Sequence, residues 1–121
     1  MIQAAATAAV IAVALLHFGF LILEMFLWRK PAGRRIFGLS QELADASASL
    51  AMNQGLYNGF LAAGLLWGAL CHGPCRAAIE IFFLSCVLIA GVFGGITAKR
   101  SILIVQALPA AIALALVLLG R

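Results

Sequence analysis

The chain has 121 residues, of which 65% are apolar and 10% charged, with a formal net charge of +4 and a mean hydropathy of +1.15. A soluble domain carries about 25% charged and about 45–50% apolar residues, so this chain lacks the polar side chains to cover a globule in water. The composition excludes a soluble enzyme, a nucleic-acid-binding module and a disordered regulator, and it predicts an all-α, polytopic membrane protein.

A transmembrane helix needs about 20 mostly apolar residues. Four helices, at about 4–28, 41–71, 75–98 and 102–120, are predicted to form one four-helix bundle, a single transmembrane domain over residues 1–121. The runs lack the alternation of barrel strands, and backbone groups in lipid must be satisfied internally. The first segment has no basic region before it and ends in a glutamate, which reads as a retained helix rather than a secretory signal.

Helix one carries two ionisable residues, His17 and Glu24. At roughly 100° per residue, His17, Leu21, Glu24 and Trp28 fall within an arc of about 60° and form one stripe. A carboxyl in lipid loses its hydration, so it is expected to face the bundle interior and meet a donor or a cation there. The loop that follows holds Arg29, Lys30, Arg34 and Arg35, with Pro31 and Gly33 as expected helix enders. Ser40 is the expected N-cap of helix two, with Glu42 in its first turn.

Asn53, Gln54, Tyr57 and Asn58 of helix two lie within roughly 140° of one another. They offer amides and a phenol at about the depth of Glu24, and Thr97 and Gln106 fall in the same half of the bundle. This convergence is the main functional clue, although such residues also staple helices together without chemistry. Gly55 and Gly59, Gly64 and Gly68, and Gly91 and Gly95 are each spaced four apart. Small residues at that spacing let helix backbones approach closely, within one bundle or in a homo-oligomer of bundles.

Cys71, His72 and Cys75 flank a Gly73–Pro74 turn. A disulfide between the two cysteines is feasible in an oxidising compartment, whereas three ligands at this spacing are a poor metal signature and no metal site is expected. Cys86 reads as a small apolar residue, and Arg76 and Glu80 as an interfacial ion pair of little energetic weight. Loops one and three hold six of the eight Lys and Arg residues, against Arg76 and Arg121 on the other side. The positive-inside rule places those loops in the cytoplasm and both termini outside, in the inner membrane.

The stretch from Leu16 to Trp28 (LHFGFLILEMFLW), the RIFGL segment from Arg35 to Leu39 and the run NQGLYNGFLAAGLLWG from Asn53 to Gly68 resemble a family of small four-helix membrane proteins of bacteria and fungi, catalogued as a domain of unknown function. The resemblance covers roughly the first 70 residues and does not extend to the Cys-His-Gly-Pro-Cys loop. It implies the same four-helix topology and carries no activity.

The leading expectation is a cytoplasm-facing intramembrane pocket for a small lipophilic or amphipathic molecule, with Glu24, His17 and Tyr57 as candidate acid/base residues. Trp28, Leu21, Asn53, Gln54, Asn58 and Gln106 are the candidate ligand contacts. Membrane sterol isomerases are similar in placing carboxylate, imidazole and Trp among helices, an analogy of chemistry alone. A proton-coupled exporter is the first alternative, since small multidrug exporters are similar in size and carry a glutamate on helix one. An accessory subunit without chemistry is the second. The residues point to no particular cofactor, to the lipid bilayer as a partner, and to no nucleic acid.

Overall fold

The computed structural model describes residues 1–121, all of it helix and connecting turn, with no strand. In chain order the helices are α1 (Ile2–Met25), α2 (Pro31–Phe37), α3 (Gln41–Leu70), α4 (Cys75–Thr97) and α5 (Leu108–Leu119), with a π-helical segment at Leu103–Ala107 before α5. Two of them, α1 and α4, are long and apolar enough to cross a membrane. The longest helix, α3, has the length, but Asn53, Gln54 and Asn58 lower its hydropathy. The run Leu103–Leu119 is apolar and shorter.

The chain divides into two compact units, residues 15–62 and residues 1–14 with 63–121, and α1 and α3 each contribute to both. In the first unit, α1 stops at Met25, short of the expected end near residue 28, and a turn closed by Lys30 N–H donating to the Leu27 carbonyl follows. Pro31 does not terminate α1; it opens α2, where its missing N–H costs nothing. Gly33 is buried because a side chain there would run into the Leu27 and Trp28 backbone. Gly38, at φ 66°, closes α2 in the left-handed conformation that glycine adopts without strain.

Ser40 caps α3 as expected, its Oγ accepting from the Leu43 N–H at 3.1 Å. The buried row of α3 in this unit is Ala44, Ala51, Gly55, Asn58 and Ala62. It follows the 3.6-residue period and brings small residues against α1. A Cβ on Gly55 would lie 2.7 Å from Met25 Cγ and 3.2 Å from the Leu21 carbonyl oxygen, so the glycine spacing here serves close helix approach.

The second unit has a core of Val10, Val13, Leu65, Leu84, Val87, Ala110, Ala113 and Val117, all buried. Gly91 lets α4 meet the backbone of Ala107 in the π-helical segment. That wide turn, in which the Leu108 N–H donates to the Leu103 carbonyl, lies just before Pro109. Proline lacks an N–H and its ring crowds the carbonyl four residues back, which favours a widened turn at this point.

Candidate functional site

The first unit buries three polar side chains: Glu24 is 8% exposed, Asn58 6% and His17 0%. Asn58 Nδ2 donates to both carboxyl oxygens of Glu24, at 3.2 Å each. The contact follows from the two buried rows: Glu24 ends the polar stripe of α1, and Asn58 stands between Gly55 and Ala62 on the α3 face that packs against it. A buried carboxyl with no partner would bear the full cost of its desolvation, which the amide offsets in part.

Glu24 also borders a cavity of about 310 Å³ shared with Trp28, Arg29, Lys30, Gln41 and Asp45. One wall is fixed by Trp28, whose indole N–H donates to Ser47 Oγ at 3.0 Å and whose ring packs on Phe37 with centroids 4.7 Å apart. Ser47 in turn donates to the Leu43 carbonyl at 2.6 Å, and Gln41 Nε2 donates to Asp45 Oδ1 at 3.0 Å. The cavity thus joins a buried acid, an indole face and a rim that carries charges of both signs.

His17 stands two turns earlier on α1, about 10 Å along the axis at 1.5 Å per residue, with its ring edge-on to Phe20 at 5.3 Å. Leu21 is half-buried beneath Gly55 and Gly59 of α3 and acts in packing. Asn53, Gln54 and Tyr57 are on the exposed side of α3, with Tyr57 55% exposed and edge-on to Phe60. Of the four polar residues at the start of helix two, the fold brings Asn58 to Glu24 and turns the other three away. Gln106 belongs to the second unit, in the π-helical segment, and Thr97 Oγ1 donates to the Phe93 carbonyl at 2.7 Å. Cys71 and Cys75 are free thiols.

A second polar cluster has a weight that the sequence reading did not give it. Glu80, 4% exposed, accepts from Arg76 Nε at 3.1 Å, and Arg76 Nη2 donates to Thr7 Oγ1. The Arg76–Glu80 pair is therefore no interfacial ornament: the carboxylate is inside the unit, packed against Gly68, where a Cβ would come within 2.8 Å of Glu80 Cγ. One signal for it was present, since Thr7 is polar in an otherwise apolar stretch of α1.

An all-helical chain with buried carboxyl–amide pairing and two helices apolar enough for a membrane is the class that these features define. The chain belongs to the family described as "Protein of unknown function (DUF1304)", whose model matches residues 11–118. It is also similar to the "Uncharacterized protein YpaA" of Lactococcus lactis subsp. lactis (strain IL1403), with 28% identity over 96 residues, 78% of this chain and 80% of that one. No solved structure matches the chain.

Proposed function

We propose that this chain is a four-span inner-membrane protein that binds a small lipophilic or amphipathic molecule beside Glu24, with loops one and three in the cytoplasm. The observation that carries the reading is Glu24, a buried residue whose carboxyl is held by Asn58 and which borders the cavity of about 310 Å³. That volume is at the lower end of the roughly 300–1,000 Å³ of small-molecule sites. Trp28 supplies an apolar surface for such a molecule, and Arg29 and Lys30 suit an acidic or hydrogen-bonding end. In this reading Glu24 is the proton donor or acceptor and Asn58 holds its orientation.

In this reading, because Asn53, Gln54 and Tyr57 are on the exposed face of α3, the ligand role in this pocket falls to Glu24, Trp28 and the rim residues. A carboxyl is a costly choice where an amide or hydroxyl would staple two helices as well.

The test is native mass spectrometry of the purified protein in mild detergent, wild type against Glu24→Gln, which keeps the shape and removes the acid. A discrete adduct in wild type that is lost in the variant supports the pocket, and its mass gives the ligand class. Bare chains, or the same lipids on both, reject it.

A further inference from the structure

The unit formed by residues 1–14 and 63–121 contains a larger cavity, about 550 Å³. Its apolar wall includes Ala6, Ile81 and Val117, and its polar side chains are Gln3, Arg76, Glu80 and Arg121. We infer that this cavity is a binding site for an anionic amphiphile, with a phosphate headgroup held by Arg76 and Arg121 and an apolar portion against Ile81 and Val117.

Arg76 is built as a receptor for an anion rather than left as a loose surface charge. Its Nε is tied to Glu80 at 3.1 Å and its Nη2 to Thr7 Oγ1, so the guanidinium plane is fixed from two helices. Thr7 completes the support, since its hydroxyl donates to the Gln3 carbonyl at 2.9 Å while accepting from Arg76. Two of the five guanidinium N–H groups are used in this way, which leaves three for a ligand, and Arg76 borders the cavity. A fixed fork loses little conformational entropy when it takes a planar or tetrahedral oxyanion.

The charges of the lining favour an anion. Among the side chains, two guanidiniums stand against one carboxylate, and that carboxylate is engaged by Arg76 itself. Gln3 is similarly held, its Nε2 donating to the Gly120 carbonyl at 3.2 Å. A polar end beside an alkyl wall matches a molecule with a charged head and an apolar body, and phosphate is the headgroup that guanidinium recognises best at two points.

The experiment is a binding titration of the whole protein in mild detergent, read by native mass spectrometry and by thermal shift. The probes are phosphatidylglycerol, phosphatidylcholine, glycerol 3-phosphate and inorganic phosphate. Wild type should retain phosphatidylglycerol over phosphatidylcholine. Arg76→Gln combined with Glu80→Gln should bind it about tenfold more weakly, the loss expected for one charge-assisted contact. The paired substitution avoids leaving a buried carboxylate alone. Arg121→Gln, at an exposed position, should also weaken binding and decides the matter if the double variant fails to fold. Lys99→Gln, an exposed cation that lines neither cavity, should leave the titration unchanged. Equal binding of glycerol 3-phosphate and phosphatidylglycerol would show that the apolar wall contributes nothing and would overturn the amphiphile in favour of a soluble phosphate ester. Equal retention of phosphatidylcholine and phosphatidylglycerol, or wild-type affinity in a folded double variant and in Arg121→Gln, would overturn it.

Discussion

Asn58 Nδ2 lies 3.2 Å from each carboxyl oxygen of Glu24, so one amide joins α1 to α3 across 34 positions of chain. Removing the amide leaves a buried carboxyl without its donor, a loss of about 1–3 kcal/mol. Asn58→Leu is therefore expected to lower the unfolding free energy in detergent by that amount. Glu24→Leu removes the other partner, and the double variant should recover part of the sum. A coupling of about 1 kcal/mol or more in the double-mutant cycle is the expected result. Strict additivity would mean that the two side chains do not act together.

The helical class of the chain was legible because its long apolar runs lack the alternation of barrel strands, which leaves helices to satisfy so apolar a backbone. Ser40 was legible as a cap because a hydroxyl before a periodic run has a specific use at a helix start. The rotation of α3 was not. Apolar residues surround this helix on all sides, so its periodicity favours no face, and nothing in it marks Asn58, rather than Asn53, Gln54 or Tyr57, as the residue that meets Glu24. The face is chosen by close packing: Gly55 fits under Leu21 and Met25, which brings Asn58 inward and leaves the other three outside. Glu80 was misread for a related reason. An i,i+4 pair with Arg76 is the pattern of a solvated helix surface, whereas its burial comes with the packing of Gly68 of α3 on Glu80, and Arg76 is held by Thr7, 69 positions away.

Gly55 tests that packing directly. A methyl group there would sit 2.7 Å from Met25 Cγ and 3.1 Å from Glu24 Cβ. Gly55→Ala should thus push α1 and α3 apart and cost about 1–3 kcal/mol, as overpacking does in other cores. Gly19 is the control, because a Cβ there meets nothing within 4 Å. Gly19→Ala should be neutral or stabilise by up to about 1 kcal/mol through helix propensity. Thermal unfolding of both variants in the same detergent checks the pair, and equal effects would reject the close contact.

The proposed topology puts the turn between α3 and α4 outside and the segment between α4 and α5 in the cytoplasm. Cys75 is an exposed thiol in that turn, whereas Cys71 and Cys86 are half-shielded. In reduced, intact spheroplasts a membrane-impermeant maleimide should label Cys75, and Cys75→Ser should remove most of the label. A cysteine placed at Lys99 in a chain otherwise free of cysteine should react only after lysis. Labelling of both positions from outside would rule out the four-span arrangement with this orientation.

Gly91 faces backbone, which gives it the least room for adjustment among the α4 glycines. A Cβ at Gly91 would come within 2.7 Å of Ala107 N and 2.9 Å of Ala107 Cα. Those atoms belong to the π-helical segment and cannot rotate away as a side chain does. Gly91→Ala should therefore separate α4 from the segment or return the wide turn to ordinary α-helix, at a cost of about 1–3 kcal/mol. Gly94 offers the contrast, since its nearest neighbours are the tips of Ile102 at 3.3 and 3.4 Å. A flexible isoleucine yields by a few tenths of an ångström, so Gly94→Ala should cost clearly less and is partly offset by about 1 kcal/mol of helix propensity. Unfolding in detergent ranks the two variants, and amide exchange at Leu108, whose N–H makes the five-residue bond to Leu103, reports on the turn itself. Faster exchange in Gly91→Ala than in Gly94→Ala is the expected order. The reverse order would show that the wide turn is held by Pro109 alone and not by the contact with α4.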